Sequence, residues 1–312
     1  MRREETFPEL IERQLGLVLR GQALATGLSS GAISWRLNRG YWQRVVPGLY
    51  ATFTGALSDE QRLVAAALYG GPGAQITGAA ALRRHGVRYV PADPRVHVLV
   101  PTARVSQGFI ATQRTNRLDP HARPRSAMEI CSVARAGADA ARCGYSLRDV
   151  RAFLADIVQR RLAGLNLLEE EARLGSKAHS TLLLQVLKEL RSGVRSAPEA
   201  ELRTVVESST ILPKARWNPH LVVTADGTTL PTPDGWIQEV GLALEQNSRE
   251  FHSTPDGWQR TLERQYTLAE YGILTVHVTP EAVRKRPAQV LANIERIYRE
   301  RPPGFNRVIA LD

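Results

Sequence analysis

The chain has 312 residues, of which 43% are hydrophobic and 23% charged, with a formal net charge of +10 and a sequence pI of about 10.1. That length supports two or three domains with real cores, and the charge excess, carried mostly by Arg, favours polyanionic partners without specifying a fold. Two cysteines, Cys131 and Cys143, exclude a disulfide framework and a CxxC zinc site. No apolar run reaches the length of a membrane span, and the N-terminal segment lacks the apolar stretch of a secretory signal, so the expectation is a soluble cytoplasmic protein with free thiols and no membrane partner.

In chain order, residues 1–55 have the signals of a compact module. Helix-type apolar spacing covers Pro8–Leu15, and Gly16-Leu17-Val18 is a short extended step. Arg20–Thr26 is a second short helix capped by Gly27. Leu28-Ser29-Ser30 supplies the N-cap of a third helix, Gly31–Asn38, which Gly40 ends. Trp42–Phe53 reads as two strands around the Pro47-Gly48 turn. Three helices followed by a hairpin is the order of a winged helix-turn-helix, in which the third helix enters the major groove. Ser29, Ser30, Ser34, Trp35, Arg36, Asn38 and Arg39 are then candidate DNA contacts, and Arg44 opens the wing. Between Gly16 and Tyr50 lie four Arg and no Asp or Glu. Double-stranded DNA is the expected partner, and protein docking is the competing use of the same module.

This stretch resembles the winged-helix domain of abortive-infection antitoxins of the type IV toxin–antitoxin class. The likeness rests on Gly16-Leu17-Val18, Leu28-Ser29, Ile33, Arg36, Gly40, the Trp42-x-Arg44-Val45 step and Pro47-Gly48-Leu49-Tyr50. The resemblance implies promoter binding, repression of a toxin operon, and a cognate toxin as a second partner.

Residues 56–125 read as an α+β region. Asp59–Tyr69 is a helix with an acidic start, and Gly70-Gly71-Pro72-Gly73 breaks it. No Gly-Lys-Ser/Thr follows, so the glycines do not form a phosphate-binding loop. Ile76–Gly86 reads as a helix, and Arg95–Pro101 and Phe109–Arg114 alternate as strands. His85 and His97 have no partner at ligand spacing and read as structural. The region resembles the part that follows the winged helix in the same antitoxins, where it serves protein contacts. Residues 126–192 form a helical connector with amphipathic stretches at Asp149–Leu162 and Ser180–Leu190. Ser192-Gly193 and Ser196-Ala197-Pro198 mark the boundary to a last domain, 193–312.

In that domain Pro198 to Arg203 opens a helix with Pro in its first turn. Strands are expected at Leu221–Thr224, Gly235–Gln238 and Val240–Leu244, then a helix at Gly257–Tyr271, a buried strand at Ile273–Val278 and a last helix at Glu281–Arg299. Asp234 precedes one strand and Glu245 ends the next, so a hairpin would bring two carboxylates together. Oxygen-rich pairs of this kind hold Mg2+ or Mn2+.

From Ser196 to Ile297 the chain resembles the very-short-patch-repair-like endonucleases, a group of the PD-(D/E)xK type. The matching positions are Ser196 with Glu199, Leu202 and Arg203; Asp234; Glu245; His252; Arg264 with Leu268; Gly272; and Val276–Thr279. The resemblance implies a restriction-endonuclease-like α/β domain. It implies Asp234 and Glu245 as metal ligands, Glu199 nearby, His252 beside the scissile phosphate, and Arg260 and Arg264 on the DNA backbone. Asn247 stands where the group carries a charged residue, and a neutral amide can neither act as a base nor supply positive charge. Three functions stay open: a DNA-binding protein with a metal-dependent endonuclease domain, a non-enzymatic antitoxin-like transcriptional regulator that keeps the nuclease-type domain as a binding module, and an antitoxin whose winged helix contacts its toxin.

Overall fold

The computed structural model describes residues 6–193, 196–246 and 255–311, and within 255–261 only the side chain of Gln259. The chain divides into two compact units, residues 1–187 and 188–312.

The first unit begins with α1 (Phe7–Arg13), β1 (Leu17–Leu19), α2 (Arg20–Ala25), α3 (Ser30–Asn38), β2 (Gln43–Val46) and β3 (Leu49–Ala51). The three strands form an antiparallel sheet in the order β1-β3-β2, with Leu17 opposite Ala51 and Arg44 opposite Tyr50. Leu10, Val18, Ala23, Ile33, Trp42 and Tyr50 meet in one core, and Phe7 stacks on Trp42 with ring centroids 5.9 Å apart. The arrangement is a winged helix, as the order of helix and turn signals predicts.

A second sheet follows. The elements are α4 (Asp59–Gly70), β4 (Gln75–Thr77), α5 (Gly78–Arg84), β5 (Val96–Val100), β6 (Ile110–Arg114), β7 (Arg123–Arg125) and β8 (Met128–Ile130). Their strand order is β6-β5-β4-β8-β7, with β5/β6 and β4/β8 parallel and the other pairs antiparallel. Ser58 caps α4 in a reciprocal box with Gln61. Two expectations are corrected here. Ile76-Thr77 is central strand rather than helix, and residues 126–130, expected in a helical connector, complete the β7/β8 hairpin. Helices α6 (Val133–Ala141), α7 (Leu147–Gln159), α8 (Leu165–Leu174) and α9 (Thr181–Arg191) complete the series, α9 running across the division. On the buried face of α6, Asp139 accepts from Thr77 Oγ1 and from Arg135 Nε, each at 2.8 Å. Charges this deep are held by mutual pairing.

The second unit contains α10 (Ala197–Glu207), β9 (Arg216–Trp217), β10 (His220–Val223), β11 (Thr229–Leu230), β12 (Gly235–Ile237), β13 (Leu242–Gln246), α11 (Pro255–Glu270), β14 (Leu274–Val278), α12 (Pro280–Lys285), α13 (Pro287–Glu300) and β15 (Val308–Leu311). One sheet runs β14-β13-β12-β9, antiparallel except for the parallel β13/β14 pair, and α10 packs against β13. A smaller antiparallel sheet runs β11-β10-β15. Gly241 ends a 3-10 turn at φ 59°, and a Cβ there would lie 2.6 Å from the Phe305 ring, so only glycine fits. The expected buried strand, β14, is an edge strand in the described sheet: Val278 is buried and Val276 packs on the core, but Leu274 and His277 are exposed. The expected single last helix is two helices, because Pro287 opens a new one.

Candidate functional site

Two arrangements carry chemistry. The first is the outer face of α3. Ser29 Oγ accepts from the Ala32 amide at 3.1 Å, so its side chain caps the helix. Ser30 Oγ accepts from Arg20 at 2.9 Å, which ties the start of α2 to the start of α3. Ser34, Trp35, Asn38 and Arg39 are exposed, as is Arg44 on β2. Arg36 is half-buried; its guanidinium lies over the Trp42 ring at 5.7 Å and donates to the Ala32 carbonyl at 3.1 Å. It therefore serves the module's own packing, while Arg39 and Arg44 extend from the surface. Tyr41, not singled out in the sequence, is exposed and meets Trp35. The Gly40 turn, at φ 74°, was the signal that the chain doubles back there.

The second arrangement is in the β12/β13 hairpin. Gly235 pairs with Leu244, so the residues just outside that pair, Asp234 and Glu245, are neighbours across the strands. Asp234 Oδ2 accepts from the Gln246 amide at 2.7 Å. Glu245 Oε1 accepts from Arg264 of α11 at 2.6 Å, and the same guanidinium donates to the Thr232 carbonyl. Arg264 was expected on the DNA backbone; here it neutralises a carboxylate. Burial pushes the Glu245 carboxyl up to about 7; Arg264 pulls it down, and the charge of Asp234 pushes it up again.

Glu199, on α10, is buried and accepts from Asn218 Nδ2. Asn218 also donates its side chain to the Gly193 carbonyl at 2.9 Å and its amide to the Asp234 carbonyl at 3.0 Å. It links Glu199 to the hairpin and is a residue the sequence did not flag. Its φ of 51° is a backbone state that Asn adopts more readily than most residues. Among the described residues no three His, Cys, Asp or Glu side chains converge to hold a metal ion. Asp234 and Glu245 remain as a pair of hard oxygen donors, the type Mg2+ and Mn2+ take. Asn247, His252 and the Arg260 side chain lie outside the described residues.

His85 Nε2 lies 2.8 Å from the Cys131 carbonyl. His97 does have partners: Asp93 Oδ2 at 3.1 Å and Cys143 Sγ at 3.9 Å. Burial pushes the Cys143 thiol up to about 11, with Asp139 and Asp93 adding to it, which keeps the sulfur protonated and unreactive.

Residues 6–52 match the family described as transcriptional regulator, AbiEi antitoxin. That segment coincides with the winged helix. No curated protein matches the chain. Among the described residues, no helix is long and apolar enough to cross a membrane.

Proposed function

We propose that this chain is a DNA-binding transcriptional regulator of the antitoxin type. The observation that carries the reading is the exposed face of α3 with Arg39 and Arg44, in an acid-free stretch that lies inside the segment similar to AbiEi antitoxin regulators. Arg39 and Arg44 hold phosphate, and the polar and aromatic side chains of α3 read base edges. A cognate toxin encoded beside it is the protein partner this reading carries. Mobility shifts with the full chain on the duplex upstream of its own coding sequence test it. Specific retardation supports the reading, and no retardation of any duplex refutes it.

A second reading concerns residues 193–312. The pairing of Asp234 with Glu245 across a hairpin, next to a parallel strand and flanking helices, supports a restriction-endonuclease-like domain. The two carboxylates suit a divalent cation. Bound Mg2+ or Mn2+ would neutralise phosphate charge and activate water. Asp234 and Glu245 would hold it, and Asn247 withholds the charged group a fast nuclease needs, so cleavage of plasmid DNA is expected to be slow or undetectable. Calorimetry with Mn2+ on the natural chain and on Asp234→Asn separates the parts: binding lost in the variant supports the site, and equal binding or none refutes it.

A further inference from the structure

We infer that Trp35 and Tyr41 form an apolar reading element that recognises thymine methyl groups in the major groove, an inference that rests on the DNA-binding reading above. Trp35 is 51% exposed and Tyr41 is 60% exposed, whereas Trp42 in the same module is 6% exposed. Single exposed apolar side chains are ordinary on a protein surface; two large rings side by side are not. Their centroids lie 5.4 Å apart with planes inclined by 35°.

The pair is also held in place. The Tyr41 and Trp42 amides both donate to the Arg36 carbonyl, at 2.9 and 3.1 Å. Gly40, at φ 74°, lets the chain fold back at that point. The buried Trp42 ring anchors the turn, so Tyr41 stands against Trp35 before any ligand arrives. Two rings fixed in advance lose little conformational freedom on binding.

The surroundings define the occupant. Exposed residues of α3 fall in two rows of helical spacing: Ser30, Ser34 and Asn38, and beside them Gly31, Trp35 and Arg39. Trp35 thus sits mid-helix, with Arg39 one turn away and Arg44 on the wing. The stretch from Gly16 to Tyr50 has no acidic residue, so the charge it adds around the neutral Ser30, Ser34 and Asn38 is positive only. An apolar centre in such surroundings fits a polyanion that carries an apolar feature in its interior. Duplex DNA offers one in the major groove, the thymine C5 methyl. Asn38, one turn on from Ser34 and three residues from Trp35, has the donor–acceptor pair that reads adenine, the partner of thymine. The two side chains together would favour A·T pairs in the bound site.

The test uses the full chain and a short duplex enriched from a random-sequence pool, made once with thymine and once with uracil, which lacks only the methyl. The natural chain is expected to bind the uracil duplex about fourfold more weakly for each methyl it buries. Trp35→Ala is expected to bind the thymine duplex at least about tenfold more weakly and to make no distinction between the two. Trp35→Phe, which keeps a flat apolar ring, retains the distinction. Equal binding of both duplexes by the natural chain overturns the inference, as does a uracil penalty that persists in Trp35→Ala. Unchanged DNA affinity in Trp35→Ala also overturns it and assigns the pair to a protein partner. If no duplex is enriched or bound at all, the DNA-binding reading itself falls.

Discussion

Replacing Glu245 by Gln should change how the chain's stability depends on pH, and the size of the change follows from the site. The Glu245 side chain is only 14% exposed, so solvent screening does little to weaken what surrounds it. Burial outweighs the Arg264 ion pair, and Asp234 adds to the burial, so the carboxyl titrates at about 7 when folded against 4.5 for the unperturbed group. A carboxyl with a raised folded value binds its proton more tightly in the native state. Its contribution to stability is fully present below about 4.5 and is lost as pH rises through about 7. At about 1.4 kcal/mol for each pH unit of difference, the loss is about 3 kcal/mol. The amide introduced by Glu245→Gln keeps an acceptor for Arg264 and the same shape but has no proton to lose. Urea denaturation of both chains at a series of pH values isolates the effect of Glu245 together with its coupling to Asp234 and Arg264, because groups away from the site titrate alike in the two. The difference in unfolding free energy should move in favour of Glu245→Gln by about 3 kcal/mol across that window. A difference that stays flat with pH would refute the claim that burial dominates at Glu245.

Three further outcomes follow from other parts of the molecule. Replacing Arg39 and Arg44 together by Ala should make the log–log salt dependence of DNA binding shallower by about 1.8 if each neutralises one phosphate, whereas Arg36→Ala should leave the slope alone and lower the melting temperature through the lost contact with Trp42; filter binding and thermal melts over a salt series check both. Asp139→Ala should cost about 3–5 kcal/mol in denaturant unfolding, because it removes the 2.8 Å ion pair of the buried Arg135 guanidinium and leaves it with the Arg117 carbonyl and the more distant Glu171. Gly241→Ala should cost about 1–3 kcal/mol, since the new methyl meets the Phe305 ring at a backbone state with φ 59°, and the same unfolding measurement would show it.

How much of this was visible beforehand depends on the range of the signals involved. The winged helix was legible because its cues are local and agree: Ser29 before α3, Gly40 after it, and Pro47-Gly48 between β2 and β3. Ile76-Thr77 was misread because its strand is three residues long and gains its place from partners far along the chain, β5 on one side and β8 on the other. Residues 126–130 have the composition of the helical stretch that follows, yet they pair back onto Arg123-Pro124-Arg125, an edge strand where proline is tolerated. Ile273–Val278 reads as buried because four of its six residues are apolar, yet its edge position leaves Leu274 and His277 exposed. In each of these segments one partner is a strand distant in sequence, which local composition does not specify.

Arg264 shows the same limit at the candidate site, with more consequence. Helical spacing alone puts it one turn from Arg260, on a face suited to phosphate. The fold instead turns it inward, to Glu245 and the Thr232 carbonyl. The cause lies on a different strand: a carboxylate buried beside Asp234 needs a counter-charge, and among the described side chains the guanidinium of Arg264 supplies it at 2.6 Å. A proton and Arg264 are therefore alternative ways to satisfy one oxygen. Arg264 cannot grip phosphate and neutralise Glu245 through the same nitrogen, so whatever takes over Glu245 also frees a cation whose side chain is already 38% exposed. In this domain a change at the carboxylate pair is thus also a change in the positive charge the surface presents, and the two have to be measured together.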